Sequence, residues 1–132
     1  MNTPAQNTWY GLSFERVAMA HIPQILKALG VDRILTQYYS WRSMESPQGA
    51  QVDLVIDRAD GIVNLCEVKY SNGTYAISKD EFIKLNNRSE AFRRETGTKK
   101  GLFITFITTY GLKKNGYSDT VNSQVTMADL FV

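Results

Sequence analysis

Three side chains in two neighbouring apolar stretches could do chemistry. Asp53 lies in Gln51-Val52-Asp53-Leu54-Val55-Ile56-Asp57, and Glu67 and Lys69 lie in Val63-Asn64-Leu65-Cys66-Glu67-Val68-Lys69-Tyr70. Ionised groups are seldom buried in strands unless they are paired or bind a metal. Strand alternation puts Glu67 and Lys69 on one face. On the preceding strand it groups Gln51, Asp53, Val55 and Asp57, with Val52, Leu54 and Ile56 behind them. A turn at Ala59-Asp60-Gly61 makes the pair a hairpin, with Asp53 opposite Glu67 and Gln51 opposite Lys69. Facing carboxylates repel and raise one another's pKa unless a cation lies between them. The donors are oxygens, and no histidine cluster accompanies them, which selects Mg²⁺ or Mn²⁺ over zinc. A metal held by Asp53 and Glu67 acidifies bound water and stabilises charge on phosphorus, while Lys69 orients the nucleophile. Those are the requirements of phosphodiester hydrolysis.

Positioning these groups takes a small set of elements. Leu12, Met19, Ile22, Ile25, Leu26 and Leu29 recur at helical spacing, with Ser13 as a start signal, Gly30 as a stop and Pro23 as a point of kinking or splitting. Glu15 falls in phase with Leu12, Met19 and Ile22, so a carboxylate stands within or beside the stripe facing the core. Strands are expected over 33–41, 50–58 and 62–70, with a loop over 43–49. A second helix is expected over 78–95, with Phe82, Leu85 and Phe92 on one face and Lys84 and Arg88 on another. The run Leu-Phe-Ile-Thr-Phe-Ile-Thr within 101–109 reads as a central strand. A short strand near 124–126 and a turn over 128–131 complete the chain. The order is helix, three strands, helix, strand, which makes an α/β fold with a central mixed sheet and flanking helices.

The 132 residues suffice for one domain with a real core. Residues 1–8 read as a polar tail and 9–132 as the domain. Cys66 is the single cysteine, so no internal disulfide forms, and no stretch has the length of a membrane span or the pattern of an export signal. A cytoplasmic setting without membrane contact is the expectation. The net charge of +2 neither demands nor excludes a polyanion. Locally, Lys79, Lys84, Arg88, Arg93, Arg94, Lys99 and Lys100 outnumber the nearby acids, and Arg88, Arg93 and Lys100 are the candidate phosphate contacts, with Gln51 beside Lys69 as a further substrate contact.

The combination of Asp53, Glu67 and Lys69 resembles the PD-(D/E)xK nuclease superfamily, the restriction-endonuclease-like fold, whose αβββαβ core matches the element order above. The resemblance implies a glutamate from the first helix, the place of Glu15, as a further catalytic and metal-binding residue. The proline of the family name is missing, since Asp53 follows Gln51-Val52. A closer resemblance is to the C-terminal nuclease-like domains of prokaryotic P-loop (AAA-type) ATPases, carried by Trp9-Tyr10-Gly11-Leu12-Ser13-Phe14-Glu15, His21-Ile22-Pro23-Gln24-Ile25, Tyr39-Ser40-Trp41-Arg42, Gly49-Ala50-Gln51-Val52-Asp53-Leu54, Cys66-Glu67-Val68-Lys69-Tyr70 and Thr108-Thr109-Tyr110-Gly111. This chain has no GxxxxGK[ST] sequence of its own. The resemblance implies a Mg²⁺-dependent endodeoxyribonuclease acting on DNA, with the ATPase part upstream in a longer chain. The alternative it leaves is a catalytically silent module that binds nucleic acid or regulates the ATPase. A homodimer is compatible with cutting both strands of a duplex.

Overall fold

The computed structural model describes residues 3–45 and 50–132. The far end of the loop expected over 43–49 therefore lies outside the described residues. Helix α1, Pro4–Met19, opens earlier than the apolar spacing suggests. Thr3 caps it, its hydroxyl accepting from the Gln6 amide while the Gln6 side chain accepts from the Thr3 amide, and Pro4 supplies a preset φ in the first turn. The segment read as a polar tail is thus helical from Pro4. The chain breaks at Ala20 and His21, where the His21 ring Nδ1 meets the Val17 carbonyl at 2.6 Å. Helix α2, Ile22–Ala28, follows with Pro23 in its first turn, so the proline starts a helix here and does not kink one.

Five strands form one mixed sheet in the order β1-β2-β3-β4-β5: Thr36–Arg42, Gln51–Arg58, Ile62–Lys69, Gly101–Thr108 and Ser123–Thr126. The first three are antiparallel neighbours, while β4 runs parallel to β3 and β5 parallel to β4. Helix α3, Lys79–Thr96, makes the crossover from β3 to β4, capped by the Ser78 hydroxyl and ended by Gly97 at φ 70°. A short α4, Met127–Leu130, follows β5. The expected α/β architecture is present.

The sheet is covered on both faces. On one, Phe14, Ala18, Ile22 and Ile25 of α1 and α2 pack with Leu54, Ile56, Cys66, Ile107, Val125 and Leu130. On the other, Phe92 of α3 closes over Val52, Val55, Val63 and Leu65, and Leu85 packs with Ile77 and Phe106. The buried stripe of α1 is therefore Phe14 and Ala18, and Leu12, expected in the core, is exposed. Among the described residues no helix is long and apolar enough to cross a membrane.

Val52 and Val55 share a face, which simple alternation forbids. The register with β1 explains it: Tyr39 pairs Val55 and Trp41 pairs Val52, so Asp53 and Leu54 together oppose Ser40. This is a β-bulge. The expectation that Asp53 shares an uninterrupted face with Val55 and Asp57 is corrected accordingly. An extra residue resets the alternation at the acid itself, and bulges of this kind re-aim a side chain.

Candidate functional site

The β2–β3 ladder runs from Asp57–Val63 to Leu54–Cys66 and stops. The turn sets the expected register, but the pairs expected beyond it, Asp53 with Glu67 and Gln51 with Lys69, are not part of the ladder. Strand β3 continues to Lys69 while still paired with β4 on its other side, Lys69 against Thr108. Asp53, Glu67 and Lys69 therefore lie where β2 and β3 stop pairing, at one end of the sheet.

Alternation along β3 turns Glu67 and Lys69 to the α3 side, behind Leu65, while Cys66 and Val68 face α1. There Glu67 meets Arg88 of α3, whose Nη1 donates to Glu67 Oε2 in a short contact and also to the Gln51 carbonyl at 3.3 Å. Lys69 Nζ stands 3.5 Å from Glu67 Oε1 and 3.5 Å from Glu81 Oε2. The other oxygen of Glu81 accepts from the Tyr75 hydroxyl at 2.7 Å, and Lys69 Nζ lies 5.9 Å from the Tyr75 ring centre. Burial first, then the hydrogen bond to Glu81 and the charges of Glu81 and Glu67, push the Tyr75 hydroxyl pKa well up. Tyr75 thus stays a neutral donor to Glu81.

From the opposite side comes Glu15 of α1. Its carboxyl is held above the ordinary value, by burial first and then by the negative charges of Asp53 and Glu67. The charges of Asp53 and Glu67 thus reach Glu15, but among the described residues the three acids expected to converge do not stand close enough to share one ion. Asp53 Oδ1 accepts from the Gln51 side-chain amide at 3.1 Å, and Gln51 Oε1 accepts from Arg42 at 3.0 Å, so Gln51 orients the aspartate. Two cavities flank Lys69. One of about 460 Å³ lies between α1 and the end of β3, with Glu15 in its wall, and one of about 180 Å³ lies between Glu67, Glu81 and Arg88.

Three expected phosphate contacts are placed elsewhere or engaged. Arg88 is buried and committed to Glu67, because it lies in line with Leu85 and Phe92 on the inner face of α3. Arg93 spends its fork on the carbonyls of Thr98 and Lys100, closing the turn after α3. Lys100 bonds Asp57 at 2.7 Å and the Arg58 carbonyl at 2.8 Å, at the opposite end of β3 from Lys69. None of the three forms an open basic face. Two site residues escaped the sequence reading, Glu81 as a partner of Lys69 and Arg88 as a partner of Glu67. The signal was the spacing 81, 85, 88, 92, one inward helical stripe in which two of four positions are charged.

The donor set suits a hard divalent cation: three carboxylates, like-charged and mutually repelling, with no sulfur or imidazole among them. Their spacing is looser than a ligand shell, since among the described residues no three Asp, Glu, His or Cys stand close enough to hold one ion. No family model and no curated protein matches this chain.

Proposed function

We propose that the domain is a PD-(D/E)xK-type nuclease that hydrolyses phosphodiester bonds in DNA with Mg²⁺ or Mn²⁺, attached in its full-length chain to a P-loop ATPase. The observation that carries this reading is the placement of Asp53, Glu67 and Lys69 where β2 and β3 stop pairing, with Lys69 3.5 Å from Glu67 and sharing a cleft wall with Glu15. Carboxylate oxygens next to an ammonium group suit a cation and a phosphate together, the acids drawing in around the ion on binding. Asp53 and Glu67 would hold the metal, with Glu15 as a third oxygen donor. When bound, the ion supplies an acidified water and neutralises charge on the phosphate.

The chain's own groups account for the rest. Lys69 presents three N–H donors. With Glu67 and Glu81 fixing its ammonium between them, it can direct a donor at the attacking water or at a phosphate oxygen. Gln51 holds Asp53 in orientation. Arg88 holds Glu67 and, through the Gln51 carbonyl, ties the end of β2 to α3. These contacts restrict the rotamers of the acids, which is what a preorganised site needs.

One observation favours a second reading. Both Glu67 oxygens already face cations of the protein, Arg88 and Lys69, and an acid so neutralised needs no metal. On that reading the domain is a silent nuclease-like module that binds nucleic acid or regulates its ATPase. Incubation with plasmid and with linear single- and double-stranded DNA, with Mn²⁺ or with a chelator, separates the two. Metal-dependent cleavage lost in Asp53→Ala is the expected outcome, and absence of cleavage under every condition selects the silent module.

A further inference from the structure

We infer that the cleft between α1 and the end of β3 receives an unpaired nucleobase, so that the substrate is a single-stranded DNA segment and not a continuous duplex. This rests on the phosphodiester reading of the adjoining acids and names its substrate class. The cleft holds about 460 Å³, within the ordinary range of small-ligand sites. A base inside a stacked duplex cannot enter such a space without leaving the stack, whereas a base of a single strand can.

The lining matches a base better than a phosphate. Its charges are one carboxylate, Glu15, and one ammonium, Lys69, which offset each other. Leu12, Val68 and Tyr70 give it an apolar body, and the amides of Asn7 and Asn72 offer both donors and acceptors for a base edge. The three cations expected to contact phosphate are spent within the fold: Arg88 on Glu67, Arg93 on loop carbonyls, Lys100 on Asp57. With those three engaged, the contacts of the cleft itself favour a base over a phosphate. An aromatic path leads in from solvent. The Trp9 ring, 63% exposed, meets Tyr10 edge-on at 5.2 Å, and Tyr10 packs on Tyr70 of the cleft wall at 5.5 Å. Trp9 offers a stacking face for the next base, and stacking tolerates any sequence. Because Lys69 lines both this cleft and the pocket holding Glu67, a base seated here sets its own phosphate beside the acids.

Gly11 makes the cleft testable without unfolding the protein. It lines the space from within α1, and an added Cβ meets nothing within 4 Å. Gly11→Leu fills the cleft and improves helix propensity. Binding is read by fluorescence polarisation of a labelled oligothymidylate in chelator, so that no strand is cut. The strand is expected to bind at least about tenfold more tightly than a duplex of equal length, and an abasic strand of the same length to bind no better than the duplex. Trp9→Ala weakens binding at least about fivefold and Gly11→Leu abolishes it with no loss of thermal stability. Thymidine monophosphate competes only far above the oligonucleotide concentration; equal potency would overturn the assignment to a strand. Duplex or abasic binding as tight as that of the oligothymidylate, or wild-type binding by Gly11→Leu, would overturn the inference. Cleft-dependent strand binding by a protein that never cleaves would uphold it while removing the nuclease reading, and cleavage by Gly11→Leu at the wild-type rate would remove this inference alone.

Discussion

Arg88→Met tests the contact at the centre of the site. Arg88 is 6% exposed, and its Nη1 is shared between Glu67 and the Gln51 carbonyl. Removing one member of a buried ion pair costs about 3–5 kcal/mol, chiefly because the other charge is left uncompensated. Glu67 keeps Lys69 at 3.5 Å and its side chain is 17% exposed, so the low end applies, about 3 kcal/mol. That is a large part of the total stability of an ordinary domain and a fall of about 10 °C in melting temperature. Arg88 is also imperfectly satisfied, since its Nε and Nη2 have no hydrogen-bond partner among the described residues. A buried guanidinium with idle donors carries a desolvation cost that its carboxylate does not fully offset. The double variant Glu67→Gln with Arg88→Met removes the stranded charge and the idle donors together. It should be more stable than Arg88→Met alone by about 2 kcal/mol, the size of coupling expected for touching residues. Urea unfolding of wild type, both single variants and the double variant gives the full cycle. Additive losses, with the double variant weaker than either single one, would refute the claim that Arg88 serves mainly to neutralise Glu67.

Further outcomes follow from the same geometry. Glu15 has a raised carboxyl pKa, so the folded state binds its proton more tightly than the unfolded state does, and the group's contribution to stability falls as pH rises above the ordinary carboxylate value. Glu15→Gln should therefore melt at a higher temperature than wild type at pH 8 and near the wild-type temperature at pH 4; an equal difference at both would contradict the burial of this carboxyl beside the Asp53 and Glu67 charges. Burial pushes the Cys66 thiol up to about 12, so a disulfide reagent at pH 8 should leave it untouched until denaturant is added, and rapid labelling of native protein would count against the packing of β3 on α1. Gly11→Ala should stabilise by about 1 kcal/mol through helix propensity, whereas Gly97→Ala should destabilise by about 1 kcal/mol because φ is 70° there; chemical denaturation gives both signs.

The hairpin was readable because its two signals agree. Alternation in 62–70 and the Asp60-Gly61 turn specify the same register, and the turn glycine does adopt a positive φ, 90°. The bulge at Asp53 was not readable, since no glycine marks it and it shows only in the register shift against β1 between Tyr39 and Trp41. The early start of α1 left a sign in the sequence, Thr3-Pro4 with Gln6, a capping box before a stretch with few apolar residues. Apolar periodicity overlooks such a start, because residues 4–11 bury little. Arg88 and Glu81 look like solvated helix charges when judged by residue type alone. Their burial follows from position, since Glu67 and Lys69 turn toward α3 and the helix must supply opposite charges along its inner stripe.

Mn²⁺ titration followed by electron paramagnetic resonance tests the central claim most directly, because it counts bound metal without requiring a substrate. Wild-type protein should bind Mn²⁺, Mg²⁺ should displace it, and Asp53→Ala and Glu67→Ala should each lose the binding while remaining folded. Manganese binding that survives in both variants, or no binding by the wild type, would contradict a cation site built from Glu15, Asp53 and Glu67.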